Sequence, residues 1–482
     1  MANAPLAGTA TVNRRSLPPS ARWSGAVFLV LLGAFFTFHL SAQTLGKMHH
    51  RSPDVPRLHR SDEGPLRVVG ASTALRRQDI WEVHLRGSAP EIGWAHTQLL
   101  RDRMLSNEAV LQGALHKYLP SPLLRSLVLD WAALEYRSLD DELSPSRKNE
   151  MAASALAFQP DPFAGLFPTY QRFVYLNTLY DISLSFEHSP LVGCTSFVVS
   201  AQDSSTGGPL LARVFDFEVD EIFDVDKAVF IVKEDEKIPF ASIAWPGLVG
   251  VVTGINANGL ALVVHGARAG PVVSQGTPVL HAMRRVLSEA SNTQEAIDLL
   301  TSQPPLVSHL VILQDEGGHA VVLERSVHQP GFVRRLERVA AITNHFEGPL
   351  KSDAKNQRVR GTTSTLARRA RADALIKGHH GVVSPAQTIA WLRDRKDELG
   401  RELPIGDRRA IDALIATHAV VFDTRSGRFW VSRGPRMMGA FVEFDLNKEL
   451  AGRLEPQAKR SEIPEDPARA ALMNHMRKPS LP

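Results

Sequence analysis

The 482-residue chain is 44% hydrophobic and 22% charged, enough to bury one large core or two ordinary ones, and it carries no collagen-like or low-complexity bias. Its net charge of only +4 with histidine neutral excludes a strong overall field for nucleic acid, which would need a concentrated basic patch. Arg368, Arg369 and Arg371 are grouped, but they fall in an amphipathic helical pattern without aromatic stacking residues, so no nucleic-acid partner is expected.

Residues 1–24 form a basic leader with Arg14, Arg15 and Arg22, and residues 25–42 are an uncharged apolar run. This order is the form of a secretory signal peptide or signal anchor. Cleavage after Ala42 is imperfect because Leu40 is large, and no cysteine follows for lipid attachment. The expectation is a body exported to the periplasmic or extracellular face, held to the membrane through 25–42 if that segment is uncut. Residues 43–74 are polar and proline-bearing, a linker. From 75 to 193 the pattern is mainly helical, with apolar residues at helical spacing in Glu91–Leu100 and Leu123–Trp131.

At Cys194 the pattern changes to strands and turns. Thr195–Ser200 and Leu210–Val214 flank the turn Asp203–Pro209, and more strands are expected at Ala228–Val232, Phe240–Ala244 and Val249–Thr253. Leu260–His265 follows the turn Asn256–Gly259. Helices are predicted around Pro278–Ala290, Thr293–Leu300, Leu366–Ile376 and Pro385–Arg393. Strands at His309–Leu313, Ala320–Glu324, Val420–Asp423, Arg428–Ser432 and Ala440–Phe444 complete an α+β pattern. Residues 451–482 read as a mobile tail.

Cys194 is the only cysteine, so it has no intrachain disulfide partner, and packing or reactivity must account for it. It follows Gly193 at the start of an apolar run, and Arg213 and Asp216 come nineteen and twenty-two residues later. Each has an ordinary alternative. Cys194 suits a buried small side chain, and Arg213 with Asp216 suits a surface ion pair. A spacing of three puts those two on opposite faces of a regular strand, so a shared site requires a bulge or a strand end. Asn344 follows the strand-like Val339–Ile342 and suits a turn. His265 reads as a packed core histidine or as a ring N–H donor. Arg368 follows the turn Thr362–Thr365, where Arg369 is equally well placed. No His, Cys or Asp group has metal-ligand spacing, since His379 and His380 are adjacent.

Taken together, Gly193-Cys194-Thr195-Ser196-Phe197, Leu211-Ala212-Arg213-Val214-Phe215-Asp216-Phe217 and Thr343-Asn344-His345-Phe346 resemble the N-terminal-nucleophile cysteine hydrolases. The likeness is to the isopenicillin N acyltransferase-like branch and, more distantly, to acid ceramidase and choloylglycine hydrolase. Gly87–Gly93 resembles the opening of such precursors. The resemblance implies a four-layer α-β-β-α sandwich over 194–450 and autoproteolysis between Gly193 and Cys194. The helical pro-segment 75–193 then stays bound as the smaller chain. It also implies that Arg213 stabilises the Cys194 thiolate, Asp216 receives the new α-ammonium and Asn344 donates to the oxyanion, with no cofactor or metal. The α-amine, with a reference pKa of about 7.7–8.0, serves as base for a thiol of about 8.5 on the same residue. The expected activity is a cysteine amidase or acyltransferase on linear acyl amides, working through a thioester on Cys194. A phospholipase B-like esterase on the same fold and an inactive membrane-tethered binding protein are the alternatives. A papain-type protease fits poorly, because Cys194 begins a strand and not a helix.

Overall fold

The computed structural model describes residues 19–185, 192–218, 220–452 and 454–465. They divide into two compact units. In the smaller, which holds residues 19–47 and 119–137 of those described, the helix Pro19–Leu45 packs with Pro122–Glu135, and His39 Nδ1 lies 2.8 Å from Asp130 Oδ2. Ser121 caps the second helix by accepting from the Leu124 N–H, ahead of Pro122 in its first turn. The apolar run 25–42 is helical, and Leu29, Val30, Leu31 and Phe36 are exposed. Among the described residues no helix is long and apolar enough to cross a membrane. Arg14 and Arg15 lie outside the described residues.

The larger unit contains two β-sheets. Its site-forming strands are β1 (Ile80–Gly87), β2 (Val192–Val199), β3 (Leu210–Phe217), β4 (Ala228–Glu234), β5 (Ala261–Gly266), β6 (Val339–Ile342) and β7 (Ala416–Asp423). An eleven-stranded sheet runs from Ser61–Glu63 to Phe332–Leu336 and includes β1, β4 and β5; a seven-stranded sheet has the order β6-β2-β3-β7 followed by three further strands. Within these two sheets every described pair of strands is antiparallel except β1 with β4.

Alternation along the strands sorts side chains between layers. Val198, Leu211, Val420 and Phe429 of the smaller sheet meet Val229, Ile243, Val263 and Ile312 of the larger in one apolar core. The opposite face of the smaller sheet, with Phe197, Ala212 and Val421, packs against Ala372, Ile389 and Trp391 from helices. The helices that carry the argument are α1 (Ala89–Tyr118), α2 (Pro145–Ala157), α3 (Leu179–Ser185), α4 (Val279–Glu289) and α5 (Thr365–Gly378). With α1 and α4 against the larger sheet and α5 against the smaller, the order is helix, sheet, sheet, helix, as the sequence resemblance implies.

The chain before Cys194 departs from expectation. Residues 61–63, 66–69 and 72–77 are strands and not part of a linker, and 80–87 is a strand and not a helix. β1 is interior to the larger sheet, so its burial is nearly continuous and the period-two signature is lost. Its charged residues pair both nearby and across the chain: Glu82 with Arg77 and with the distant Arg460, while His84 lies 3.2 Å from Glu449. The tail is also less loose than predicted. Glu462–Ile463 extends the smaller sheet beside Phe441–Asp445, while residues 466–482 lie outside the described residues. Helix dominates from α1 onward, where α1 and α2 approach so closely that a Cβ at Gly93 would lie 2.0 Å from the Glu150 carbonyl oxygen.

Candidate active site

β2 and β3 pair in unbroken register, Gly193 opposite Asp216, Cys194 opposite Phe215 and Ser196 opposite Arg213. Cys194, Ser196, Arg213 and Phe215 therefore share the face between the sheets, and Gly193, Thr195 and Asp216 share the face toward α5. The register shift in this region falls on β7, between Ala416 and His418. No bulge brings Arg213 and Asp216 to one face. Each instead serves a different side of the start of β2.

On the inner face the fully buried Arg213 directs Nη2 to Cys194 Sγ at 3.4 Å and to the Val264 carbonyl at 2.9 Å. Its Nη1 donates to the Val252 carbonyl at 2.7 Å and to Thr253 Oγ1, and the guanidinium lies 4.3 Å from the centre of the Phe215 ring. On the outer side, Asn344, just past the end of β6, accepts the Cys194 backbone N–H on Oδ1 at 2.7 Å. The same oxygen accepts from Arg368 Nη2 at 2.9 Å, and Asn344 Nδ2 donates to the Gly266 carbonyl at 3.0 Å. Arg368 Nη1 also reaches the Cys194 carbonyl and Thr195 Oγ1. The backbone N–H and carbonyl of Cys194 are thus both held by side chains from distant parts of the chain.

Burial raises the Cys194 thiol above its ordinary pKa, against the lowering charge and hydrogen bond of Arg213 and the lowering charge of Arg368, while Asp216 adds to the rise. Burial likewise lifts Asp216 to about 7, opposed by Arg368, Arg408 and Arg213 and reinforced by Asp412. Asp216 Oδ1 has no hydrogen-bond partner among the described residues. A Cβ at Gly193 would come within 3.3 Å of the Asp216 Cβ and 3.5 Å of its Oδ2, so a residue with no side chain relieves crowding there.

Cys194, Arg213, Asp216, Asn344 and Arg368 therefore come together. His265 is adjacent but fully enclosed. Burial and the nearby arginines hold its pKa well below the ordinary range, so the ring is neutral. With Nδ1–H directed to the Thr343 carbonyl at 3.3 Å, Nε2 is the acceptor for the Ser196 hydroxyl at 2.8 Å. Helix phase separates Arg368 from Arg369, which pairs instead with Asp373 and Glu347. Sequence reasoning missed Thr365, whose Oγ1 accepts the Asn344 N–H at 2.9 Å, although the Thr362–Thr365 turn marks its place. It also missed Tyr180 on α3, a buried hydroxyl without a partner among the described residues that feels the charge of Cys194. Only the three-dimensional fold brings Tyr180 near.

Two cavities flank this cluster. One, of about 250 Å³, is lined by Gly193, Asp216, Asn344, Arg368, Arg268 and Arg408. The other, of about 110 Å³, is mostly apolar and includes Tyr180, Phe215, Phe217, Phe223 and Trp245.

The family model described as acyl-coenzyme A:6-aminopenicillanic acid acyl-transferase matches residues 204–434, a span that holds Arg213, Asp216, His265, Asn344 and Arg368 and begins just after Cys194. A protein of Archaeoglobus fulgidus described as uncharacterized is 26% identical over 252 residues, covering 49% of this chain and 41% of its own. The chain thus spans about two fifths of the length of that curated relative. Among solved structures, the Caenorhabditis elegans ortholog of N-acylethanolamine-hydrolyzing acid amidase is 16% identical, with a TM-score of 0.36 over 48% of this chain and 93% of its own. The conjugated bile acid hydrolase of Clostridium perfringens is 12% identical, with 0.37 over 57% and 97%. The penicillin V acylase of Agrobacterium tumefaciens is 16% identical, with 0.35 over 53% and 87%. The Cys194, Arg213/Asp216 and Asn344 motifs are thus gathered in one cluster, and the chain behind Cys194, just under half of its length, is similar to the acyl-coenzyme A:6-aminopenicillanic acid acyl-transferase family.

Proposed function

We propose that this protein is a self-processing cysteine amidase or acyltransferase that cleaves linear acyl amides through a thioester on Cys194. The observation that carries the reading is the double hold on one residue: Arg213 at 3.4 Å from the thiol sulfur and Asn344 at 2.7 Å from the nitrogen of the Gly193–Cys194 bond. In the first stage Sγ adds to the Gly193 carbonyl carbon and the C–N bond breaks, its nitrogen leaving protonated. Water then hydrolyses the thioester, giving a Gly193 carboxylate and a free Cys194 amine. Asp216, whose buried Oδ1 has no partner among the described residues and which lies beside Gly193, supplies a counter-charge for the new ammonium. The pro-segment 75–193 remains bound in this account, since β1 is an interior strand of the larger sheet.

In the second stage the α-amine takes the thiol proton while Arg213 stabilises the thiolate, and sulfur attacks the substrate's acyl carbon. The Asn344 amide turns from the Gly266 carbonyl to the developing oxyanion. Collapse of the intermediate expels the amine with a proton from the α-ammonium. Water or an acceptor amine then releases the acyl group, giving hydrolysis or transfer. The apolar cavity beside Phe215, the residue opposite Cys194, supports an apolar acyl group. The three solved relatives, described as hydrolases or acylases of an N-acylethanolamine, conjugated bile acids and penicillin V, name further amides worth assaying.

Export belongs to the same proposal, supported by the basic leader and the apolar run 25–42. A phosphatase reporter fused after residue 42 should become active outside the cytoplasm; activity confined to the cytoplasm contradicts export.

Rapid-quench mass spectrometry with a fatty acyl amide should show one acyl group on Cys194, absent in Cys194→Ala. Replacing Asn344 with Ala should cut kcat about 10²–10³-fold, the usual loss for one oxyanion donor. A matched ester turned over while the amide is not would establish the phospholipase B-like alternative, and no acyl adduct from either substrate would contradict both.

Asp216 gives a separate prediction. Folding raises its carboxyl from 3.8 to about 7, so its contribution to stability is full below about pH 4 and is lost as pH rises through 7. Asp181, also raised to about 7 by burial, adds a slope of the same sign. Buried histidines held neutral, such as His96 and His281, add a slope of the opposite sign, so the test compares variants of the uncut Cys194→Ala chain. Adding Asp216→Asn should raise the melting temperature more at pH 7 than at pH 4, and an equal change at both would contradict the assignment.

A further inference from the structure

A separate polar cavity of about 460 Å³ shares no lining residue with the two cavities at Cys194. Its volume lies in the range of small-molecule sites, about 300–1,000 Å³. α4 supplies His281, Arg284 and Ser288, spaced to lie on one stripe of the helix, and Arg325 comes from the end of the strand Ala320–Arg325.

Most charges around this cavity are matched. Arg147 pairs with Glu150 and Glu234, and Arg284 lies 3.5 and 3.2 Å from the same two carboxylates. Lys237 and Arg285 share Glu289. Asp141 and Glu142 are exposed, Asp141 facing Lys148 at 3.4 Å. Arg325 differs. It is 3% exposed and donates to the Gln303 carbonyl, and no carboxylate lies within ion-pair distance among the described residues. Burial alone lowers its pKa to about 10, which leaves it charged at neutral pH.

Other polar atoms in the lining are also unmatched. His281 is 5% exposed and neither ring nitrogen has a partner among the described residues; the same holds for Arg284 Nε and Ser288 Oγ. Burial and the charges of Arg147 and Arg284 hold His281 at about 3, so the ring is neutral with one N–H to donate. A buried donor left unmade costs about 1–3 kcal/mol, and these unmatched groups belong to residues that line one cavity, which points to an acceptor-rich ligand there.

We infer that this cavity binds a small molecule through an oxyanion, a phosphate or carboxylate group, with Arg325 as counter-charge and His281, Arg284 and Ser288 as hydrogen-bond donors. The carboxylates nearby do not oppose it, because each buried one already has its cation. Binding needs no cleavage at Cys194, so it can be measured on the wild type and on Cys194→Ala alike, apart from the fate of the amidase reading.

Isothermal titration calorimetry of the full chain with inorganic phosphate, and separately with malonate, at constant ionic strength tests the inference. Saturable binding of at least one is expected, weakened tenfold or more by Arg325→Gln, and the anion that saturates identifies the class. Because a change at Arg325 can disturb folding, Ser288→Ala is the milder second variant, expected to weaken binding several-fold with an unchanged melting profile. No saturable binding of either anion to the wild type, or equal binding by wild type and both folded variants, overturns the inference.

Discussion

A guanidinium buried between two sheets must find acceptors for its donors, and Arg213 finds them in the backbone of the opposite sheet. Its bonds to the Val252 and Val264 carbonyls join β3 of the smaller sheet to the two arms of the hairpin that ends in β5. Its Nη2 also faces the thiol, while Nε has no partner among the described residues. The cost of burying the charge is offset by these acceptors and by the Phe215 face. A Leu in its place would leave two carbonyls without their donor and remove the cation beside Cys194. Packing of the two sheets and the positive charge beside the sulfur therefore rest on the same side chain.

The second constraint is the pleat. Because Arg213 and Asp216 are three apart on an unbroken strand, they address opposite faces, and the site wraps around the edge of β2. The thiol lies inward beside Arg213. The backbone of Cys194 is held from the other side by Asn344 and Arg368, with Asp216 opposite Gly193. The sulfur and the backbone of Cys194 are thereby held by separate groups. This division suits the proposed function, in which Cys194 first cuts its own peptide bond and afterwards serves a substrate.

Much of this is legible in the sequence, and the failures have physical causes. Cys194, Arg213, Asp216 and Asn344 stand out because each lies in a short motif with a chemical reason for its residue types. The choice between Arg368 and Arg369 is not legible, since both follow the same turn and only the rotation of α5 decides which points at Cys194. His265 could be read as donor or as core, and its bond with Ser196 depends on the pairing of β5 and β2 across the layers. β1 was obscured because both of its faces are covered and its charged residues find partners hundreds of positions away. Tyr180 gives no local signal, being brought to the site by α3 alone.

The account depends most on one bond, that between Gly193 and Cys194. Intact mass and N-terminal sequencing of the purified protein, beside Cys194→Ala, measure its fate directly. Two chains in the wild type, the larger beginning at Cys194, with a single chain in the variant, are the predicted result. A wild-type protein that stays one chain at neutral and mildly acidic pH would contradict the account, because the thiol would then lack the amine that is to serve as its base.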